Sequence, residues 1–436
     1  MSERRPTVVF FPEGAYGPTN NCVGIAQVLA ERGVRVVFVV EESFAGTLES
    51  QGFEEALMRL APAPEVPEEP GQFWKDFIRD TAPEFRKPTI EQLETFLLPT
   101  WTALVDGSRY VNDRLAEIFD DLRPDAIVED NVVWFPAVAA SGRPWARIVS
   151  CNPLEMGDPA LPPVFSGYAT DDPTGWEEFR AEFRRTHGDL WSGFAAFVEA
   201  NGSPPLPDHE FMVESPFLNL FLYPEEADYR RSAPLGPTWH RLDACVRRPA
   251  AEFELPDGLR GDGALVYFSL GSLGSADVGL MDRLIAILAE TPHRYVVSKG
   301  PQAGQIELAD NMWGEEFVPQ PAILPRVDLV ITHGGNNTVT ESLHHGLPMV
   351  VLPLFWDQYD NAQRMDELGF GRRLDPWTCE PGELSGAIDG LLSDAAARDR
   401  LARAGERIRA NPGTHRAADL IERLARTGQS VPRHAN

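Results

Sequence analysis

Cysteine is scarce in this 436-residue sequence, which contains only Cys22, Cys151, Cys245 and Cys379. The four are widely separated, with no CxxC pair and no histidine at the spacing of metal ligands, so the pattern argues against a disulfide framework and a zinc site. The first residues, MSERRPTVVFFPEG, also lack the apolar core and small-residue cleavage site of a signal peptide. These absences predict a cytoplasmic protein without a bound metal.

Basic residues are also few, because 39 lysines and arginines stand against 66 aspartates and glutamates, for a net charge of −27. A chain this acidic repels the phosphates of nucleic acids, which argues against a nucleic-acid partner. No apolar run approaches the ~20 residues that a membrane-spanning helix needs, so no membrane span is expected. Hydrophobic residues make up 43% of the chain, which is typical of a globular protein, and the length predicts two or three domains.

Short β-branched segments alternate with helical patterns in both halves of the sequence, which is typical of parallel α/β sheets. In the first half, an amphipathic helix is predicted at Cys22–Arg32 and strands at Thr7–Phe11, Arg35–Val40, Asp125–Glu129 and Arg147–Ser150. In the second half, the predicted strands are Leu265–Leu270, Arg294–Ser298, Glu316–Val318, Asp328–Thr332 and Pro348–Leu352. The pattern predicts two doubly wound domains.

A proline-containing stretch between Glu225 and Leu259 shows little periodicity and separates the two halves. We place the first domain at residues 1–235 and the second at residues 236–410. Residues 411–436 are expected to form a C-terminal helix that packs back on the first domain.

Residues 317–362, FVPQPAILPRVDLVITHGGNNTVTESLHHGLPMVVLPLFWDQYDNA, carry the strongest functional pattern. A predicted strand ends at His333, Gly334 and Gly335 form a turn, and a helix opens at Asn336. The free backbone N–H groups and the dipole at a helix N-terminus attract anions, and glycines let a phosphate approach the backbone closely. The pattern therefore predicts a diphosphate site that needs no cluster of lysines.

The order of motifs between Gly263 and Asp375 resembles the donor-binding signature of UDP-dependent glycosyltransferases of the GT-B fold, particularly the bacterial macrolide and antibiotic type. The matching elements are a GS turn within Ser269–Ser275, an aromatic-x-Pro-Gln, H-x-G-x-N-[ST]-x-x-E, G-x-P and P-x-x-x-D-Q-x-x-N-A. The resemblance implies two Rossmann-like domains facing across a cleft. The second would bind a UDP-sugar, and the first an apolar aromatic or macrocyclic acceptor.

The resemblance also implies roles in a nucleoside pocket. Phe317 would stack on the uracil, the Val318 backbone would pair with it, and Gln320 and Glu341 would bond the ribose hydroxyls. The residue types by themselves leave other interpretations open. Phe317 could belong to the core, and Thr338-x-x-Glu341 could be a helix capping box.

The diphosphate and the sugar have their own implied contacts. The residues implied to hold the diphosphate are Ser272, His333, Asn337 and Thr338, and Gly335 would allow its close approach. Asp357 and Gln358 would contact the sugar hydroxyls. Alternatively, His333 could satisfy a turn carbonyl, and Asp357-x-x-Asp360 could be a metal pair. Hard cations want several oxygen ligands, so we expect catalysis without a metal.

The sequence departs from the family in its first loop, where relatives place a catalytic histidine in a G-H-x-x-P context. This chain has Pro18 at that position, in Gly17-Pro18-Thr19-Asn20-Asn21, and its first histidine is His187. The aspartate that orients the histidine in relatives corresponds to Asp130, at the end of a predicted strand. Asp130 could also simply cap the segment that follows it.

Three explanations for the missing histidine stay open. Asp130 could be the general base itself, with a pKa raised by burial. Glu13 or Tyr16, in the first loop, could replace the histidine, and Glu13 is better placed at the C-terminal edge of a strand. Otherwise the acceptor hydroxyl is acidic enough to react with little help. Asp130 and Glu13 are therefore the candidate catalytic residues, and phenols are the preferred acceptors.

The predicted reaction is an inverting transfer of a hexose, glucose by expectation, from a UDP-sugar to a hydroxyl of an apolar secondary metabolite or antibiotic. The UDP-sugar is a co-substrate, and no cofactor is expected. One rival is a nucleotide-sugar-binding auxiliary protein that lost its base, and another is a sugar-nucleotide epimerase, which needs no acceptor. A dinucleotide dehydrogenase is disfavoured because no GxGxxG follows the first predicted strand.

Overall fold

A computed structural model gives the fold and describes residues 5–63, 72–249, 252–256, 259 and 263–433. The first domain is built on a sheet whose described strands are β1 (Thr7–Pro12), β2 (Arg35–Glu41), β3 (Glu54–Met58), β4 (Ala126–Asp130), β5 (Trp145–Val149), β6 (Leu218–Phe221) and β7 (Trp239–Arg241). Their order across the sheet is β3-β2-β1-β4-β5-β6-β7, and every neighbouring pair is parallel.

The second domain repeats this arrangement. Its described strands are β8 (Leu265–Ser269), β9 (Arg294–Ser298), β10 (Met312–Glu315), β11 (Leu329–Thr332), β12 (Met349–Val351) and β13 (Gly371–Arg373). They lie in the order β10-β9-β8-β11-β12-β13, again all parallel. The inner strands of both sheets are buried along most of their length, because helices cover both faces of a parallel sheet.

The helices connect these strands and cover the sheets. In the first domain they are α1 (Tyr16–Glu31), α2 (Gln72–Thr81), α3 (Thr89–Gln92), α4 (Leu98–Leu122), α5 (Pro136–Ala140) and α6 (Trp176–Ala200). In the rest of the chain they are α7 (Gly271–Gly274), α8 (Val278–Ala289), α9 (Gln320–Ile323), α10 (Asn336–His345), α11 (Gln358–Glu367), α12 (Pro381–Ser393), α13 (Ala395–Ala410) and α14 (Gly413–Thr427). The predicted architecture of two doubly wound α/β domains is confirmed.

One predicted strand is wrong. Residues 316–318, predicted as a strand, do not form one. The strand that pairs with β9 is β10, which ends at Glu315, just before them. Only Met312 of β10 is buried, since this strand forms the edge of the sheet. An edge strand with a glycine and an exposed glutamate lacks a continuous apolar run, so the run at Phe317–Val318 gave a false signal.

The first domain does not end at residue 235, because two later segments of the chain belong to it. Strand β7 pairs with β6, so the first sheet continues to Arg241, beyond the position at which the sequence placed its end. Helix α14 returns from the second domain and packs on α1, where Ile421 and Leu424 join the core that contains Ile25 and Leu29. The chain therefore crosses between the domains twice.

The strand order reverses direction at one place in each sheet. In the first sheet the connections diverge between β1 and β4, and in the second between β8 and β11. In open parallel sheets, ligands bind at the carboxyl ends of the strands at such a switch point. Glu13 follows β1 and Asp130 ends β4, while Gly271 and His333 follow β8 and β11. The fold thus places the candidate residues at the two switch points.

Candidate functional site

The imidazole of His333 lies between two glycines of different loops. A Cβ added to Gly335 would come within 2.5 Å of Nε2 of this ring, and one added to Gly271 within 2.7 Å of Cε1. Gly271 also has a φ of 73°, which disfavours any other residue. Burial lowers the pKa of His333 to about 4, although a hydrogen bond to the Ser269 backbone opposes the shift. The ring is therefore neutral at neutral pH, and only glycine fits on both sides of it.

Two helix N-termini meet beside this histidine. Helix α10 begins after Gly335 and α1 begins after Ala15, and neither of these capping residues gives its helix a side-chain hydrogen bond. The Asn337 amide joins them, donating to the Gly17 carbonyl at 2.8 Å and accepting from the Asn21 amide at 2.6 Å. Uncapped first turns present free backbone N–H groups, and their dipoles point positive charge at the same place. An anion fits this position.

Asn337 was implied to hold the diphosphate, and its amide is instead engaged with the first domain in the described structure. Its neighbour Asn336, which the sequence did not single out, donates to the carbonyls of Ser150 and Leu222 at 2.8 and 3.0 Å. Both asparagines therefore connect α10 to the first domain. The pair of asparagines is visible in the sequence, but their role in joining the domains is not, because their partners are more than a hundred residues away in the chain.

A cluster of hydrogen-bonded polar side chains lies next to α10. The Gln320 amide donates to Glu341 Oε2 at 2.6 Å, its oxygen accepts from the Tyr267 hydroxyl at 3.1 Å, and its nitrogen lies 3.5 Å from the Thr338 hydroxyl. Arg247 lies in the segment that follows the first sheet, and its guanidinium is 3.4 Å from Glu341 Oε1. Sequence reasoning did not identify this residue. The structure thus brings together the residues implied to bind the ribose.

The capping-box interpretation of Thr338 and Glu341 is excluded. Helix α10 begins at Asn336, so Thr338 is its third residue and not its N-cap. The Glu341 carboxylate bonds two side chains from outside the helix. Burial raises the pKa of Glu341, while Arg247 and Gln320 oppose the shift. A buried carboxylate held in this way can accept hydrogen bonds from hydroxyl groups.

The loop before α11 carries the residues implied to contact the sugar. Asp357 Oδ2 accepts a hydrogen bond from the Asn152 backbone at 2.8 Å, and the Gln358 carboxamide oxygen accepts from the backbones of Leu354 and Phe355. Trp356 has a φ of 58°, in the left-handed region that side chains disfavour. Strained residues of this kind cluster at functional sites. The loop is therefore fixed in shape and contacts the first domain.

The structure describes two of the three remaining residues implied to bind the UDP-sugar, Phe317 and Val318, more fully than the third, Ser272. The Phe317 side chain is 49% exposed, so this residue does not belong to the core. The Val318 carbonyl accepts a hydrogen bond from the Gln320 backbone at 2.8 Å, which shapes the turn before α9. Ser272 lies in the short helix α7, but its side chain is outside the described part of the structure, as is that of Tyr16.

Glu13 and Asp130 lie side by side, because Pro12 pairs with Asp130 in the sheet and the Glu13 N–H donates to the Asp130 carbonyl at 2.9 Å. The Asp130 carboxyl is buried and accepts from the Ser150 hydroxyl at 2.8 Å and from the Cys22 thiol at 3.8 Å. Glu13 is partly exposed, and its carboxyl has no hydrogen bond among the side chains that the structure describes. Of the two carboxyl groups, Glu13 is the one available to a substrate.

Burial and neighbouring carboxyl groups raise both pKa values. The pKa of Glu13 rises to about 8, first because of burial and then because of Asp130, Glu155 and Glu41. Burial raises the pKa of Asp130 to about 7. Sequence reasoning missed Glu155, which pairs with Arg147 at 3.0 Å. These values suit proton transfer near neutral pH, where a general base is most effective.

Buried carboxyl groups make stability depend on pH. Burial also raises the pKa of Asp357 to about 7 and of Asp360 to about 8. The folded chain keeps protons that the unfolded chain releases near pH 4, so the free energy of unfolding falls as pH rises from about 4 to about 8. We expect the melting temperature to be several degrees lower at about pH 8.5 than at about pH 5.5. A melting temperature that rises over this interval would contradict the expectation.

Asp360 offers a matched test of this pH dependence. Its carboxylate accepts from the backbones of Phe165 and Gly167 at 2.6 and 2.8 Å, so it holds this segment of the first domain in place. Asp360→Asn removes the titration but keeps one acceptor, and should make the melting temperature less dependent on pH. Among the described residues, no cluster of three or more His, Cys, Asp or Glu side chains is arranged to bind a metal ion.

Comparisons with known proteins agree with this architecture. Residues 245–405 match the family model described as "UDP-glucoronosyl and UDP-glucosyl transferase". A demethyllactenocin mycarosyltransferase of Streptomyces fradiae is 28% identical over 97% of this chain and 87% of its own length. An oleandomycin glycosyltransferase of Streptomyces antibioticus is 25% identical over 95% of this chain and 90% of its own.

Solved structures show the same fold. The glycosyltransferase of kitacinnamycin matches with a TM-score of 0.68 at 24% identity, over 96% of this chain and 99% of that chain. The calicheamicin glycosyltransferase CalG4 matches with a TM-score of 0.64 at 21% identity, over 97% and 99%. No helix in the described part of the chain is long and apolar enough to cross a bilayer. The chain is a glycosyltransferase of the GT-B fold, and its residues 245–405 match the model of the UDP-glucoronosyl and UDP-glucosyl transferase family.

Proposed function

We propose that the protein transfers a hexose from a UDP-sugar to a phenolic or similarly acidic hydroxyl of an apolar secondary metabolite, in the cytoplasm and with inversion at the anomeric carbon. The observation that carries this proposal is the pair of facing switch points. One presents the N-terminus of α10 and His333 for a diphosphate, and the other presents Glu13 and the N-terminus of α1, which meets that of α10. An electrophile held at the first and a hydroxyl at the second would react across the cleft.

In the proposed reaction, the Glu13 carboxylate takes the proton of the acceptor hydroxyl. The acceptor oxygen then forms a bond to the anomeric carbon, and the bond from this carbon to the diphosphate oxygen breaks. The departing diphosphate gains negative charge, which the N-termini of α1 and α10 stabilise. Its charge would also raise the pKa of His333 from about 4, so the ring could become a hydrogen-bond donor as the reaction proceeds.

Several features support binding of the donor by the second domain. The Gln320 amide donates to the Glu341 carboxylate, which would accept the ribose hydroxyls, and Phe317, three residues before Gln320, offers an exposed ring for the base. UDP carries two ribose hydroxyls, whereas the sugar of thymidine diphosphate lacks one of them. Relatives differ on this point, since a solved spinosyn rhamnosyltransferase is complexed with thymidine diphosphate. The buried Glu341 carboxylate favours UDP for this chain.

Substitution of Glu341 tests the choice of nucleotide. Glu341→Gln keeps the shape of the side chain but removes the charge that accepts the ribose hydroxyls. We expect the Kd for UDP to rise about tenfold, because a hydrogen bond to a charged group contributes about 1.5–3 kcal/mol. The Kd for thymidine diphosphate, with one hydroxyl fewer, should change less. Equal changes for the two nucleotides, measured by calorimetry, would show that Glu341 does not read the ribose.

The reaction itself is tested by UDP release from UDP-glucose and other UDP-sugars, with and without phenolic and aliphatic acceptors. Acceptor-dependent release, faster with phenols than with matched aliphatic alcohols, is the expected result. Release without dependence on an acceptor would instead indicate a hydrolase, and conversion of the UDP-sugar into an isomer without any acceptor would indicate an epimerase. Binding of UDP-sugar without turnover, across several donors and acceptors, would indicate a binding protein, which the proline at the position of the catalytic histidine would explain.

A further inference from the structure

Arg247 lies in the segment that connects the two sheets, and it forms an ion pair with Glu341 of α10 at 3.4 Å. Among the described residues, no other lysine, arginine or histidine forms an ion pair with this carboxylate. The Glu341 side chain is only 5% exposed, whereas that of Arg247 is 25% exposed. Because a buried carboxylate is costly without a partner, Glu341 depends on Arg247 to remain charged in the folded chain.

The two oxygens of the Glu341 carboxylate are held by different elements. Gln320 Nε2, from α9, donates to Oε2 at 2.6 Å, and Arg247 Nη1 donates to Oε1 at 3.4 Å. The Tyr267 hydroxyl fixes Gln320 in turn, by donating to its carboxamide oxygen at 3.1 Å. Each oxygen of a carboxylate has two acceptor sites. Arg247 and Gln320 therefore orient the carboxylate and leave acceptor sites for an incoming hydroxyl.

The backbone that carries Arg247 is fixed against two helices of the first domain. A Cβ added to Gly24 of α1 would come within 3.2 Å of the Cys245 carbonyl oxygen and 3.3 Å of Arg247 Cα. A Cβ added to Gly413, the first residue of α14, would collide with the Leu242 carbonyl oxygen. The connecting segment thus passes closely over α1 and α14. The first domain therefore sets the position from which Arg247 reaches Glu341.

Arg247 also offsets a negative charge near the proposed diphosphate site. Glu341 lies in the second turn of α10, whose N-terminus is proposed to bind the diphosphate, and like charges repel. Burial raises the pKa of Glu341, while Arg247 and then Gln320 oppose the shift. The Tyr267 hydroxyl, which faces the same cluster, has a pKa raised to about 12 by burial and stays neutral. Arg247 is therefore the group that favours the ionised form of Glu341.

We propose that Arg247 is a positioning residue for the donor nucleotide: it holds Glu341 from the segment between the domains and thereby makes the site select a ribonucleoside diphosphate over its 2′-deoxy counterpart. A charged, oriented acceptor discriminates better for an additional hydroxyl, because hydrogen bonds to charged groups are roughly twice as strong as those between neutral groups. This assignment rests on the proposed binding of a UDP-sugar by the second domain, and it adds a residue outside that domain's sheet to nucleotide recognition.

Calorimetry with UDP and 2′-deoxy-UDP, without any acceptor, tests this role. Arg247→Gln removes the charge and should raise the Kd for UDP about five- to tenfold at about pH 6.5, while the Kd for 2′-deoxy-UDP rises about twofold or less. Without Arg247 the pKa of Glu341 lies higher, so the loss of UDP affinity should shrink at about pH 8.5, where the carboxyl group ionises again. Both nucleotides carry the same diphosphate, so the ratio of the two Kd values cancels phosphate ionisation.

Three further variants separate positioning from packing. Arg247→Lys keeps the charge and should restore most of the preference for UDP. Arg248→Gln is the matched control, because Arg248 is the next residue and pairs with exposed Glu31 of α1 at 2.9 Å; such surface pairs contribute little, so both Kd values should stay the same. In a Glu341→Gln background, Arg247→Gln should add little, since the two residues act as one unit. This double variant leaves no unpaired buried charge, so its comparison with Glu341→Gln holds even where Arg247→Gln alone is unstable.

Equal binding of the two nucleotides by the wild type would overturn the proposal. So would equal losses for both nucleotides at every pH in Arg247→Gln, or an effect of this substitution that persists in full in the Glu341→Gln background. Loss of the preference for UDP in Arg247→Gln, together with no UDP release from any donor in the wild type, would leave the role of Arg247 established and the proposed glycosyl transfer refuted.

Discussion

Glu13→Gln is expected to lower kcat for acceptor-dependent UDP release by about 10²–10⁴-fold, the usual contribution of a general base. Glu13 is the carboxyl group at the first switch point that is partly exposed and not engaged in a hydrogen bond among the described side chains. Glutamine has nearly the same shape but cannot accept the proton. The Kd for UDP should change far less, because the implied nucleotide contacts belong to the second domain, apart from the N-terminus of α1.

The pH profile of wild-type kcat should carry the signature of the same group. Only the ionised form of Glu13 is a base, and its pKa is raised to about 8. The rate should therefore rise with pH and level off above about pH 8 to 9. In Glu13→Gln this rise should disappear or move, whereas a purely structural role of Glu13 would lower the rate equally at every pH.

Two comparisons make this result interpretable. Asp130→Asn should reduce kcat less than Glu13→Gln, because Asp130 is buried against Ser150 and Cys22 and acts through its neighbour. Glu49→Gln, an exposed substitution elsewhere in the first domain, should have no effect. If Glu13→Gln retains wild-type activity and Asp130→Asn does not, the base is Asp130. If both retain activity with phenols only, the acidity of the acceptor replaces the base.

Gly335→Ala is expected to lower kcat/KM for the donor by about 10²–10³-fold, the loss measured when a preorganised anion-stabilising group is removed. The new methyl group would lie within 2.5 Å of the His333 ring and at the start of α10. It would displace the ring toward Gly271, which also lies within contact distance. The diphosphate would then lose the close approach to the backbone and the histidine together.

Gly386→Ala provides the control for this substitution. Gly386 lies in α12, and a Cβ there meets no atom within 4 Å. It should leave activity unchanged and increase stability slightly, since alanine favours helix over glycine by about 1 kcal/mol. Circular dichroism and thermal melting of both variants would show whether Gly335→Ala remains folded. A folded Gly335→Ala variant with wild-type kcat/KM would remove His333 and the α10 N-terminus from the proposed diphosphate site.

Much of the fold could be predicted from the sequence, for local physical reasons. Apolar β-branched runs such as Leu265–Ser269 mark strands that are buried on both faces, and the glycine turn at Gly334–Gly335 marks the start of α10. Strands without such runs were missed, including β3, β6, β7 and β13. Strands β3, β7 and β13 form sheet edges, where the apolar pattern weakens, and β6 is buried but has only four residues, one of them Asn219.

The candidate site divides in the same way. Its donor half lies largely on one contiguous segment, so that residue spacing revealed Gln320, His333 and Glu341 together. Arg247, Glu155 and Trp356 escaped detection because each meets its partners through tertiary contacts between distant parts of the chain. The capping-box alternative for Glu341 could be rejected only when the first residue of α10 was known.

The sequence by itself determined the class of fold, the position of the glycine turn before α10 and the absence of a histidine from the first loop, because each is a property of short segments. Tertiary structure alone decided which carboxyl group is free to act. Glu13 and Asp130 are 117 positions apart in the chain, and parallel pairing of β1 with β4 makes them neighbours. Burial and the nearby Glu155 raise both pKa values, and Asp130 adds to the shift at Glu13; no local pattern encodes these contacts.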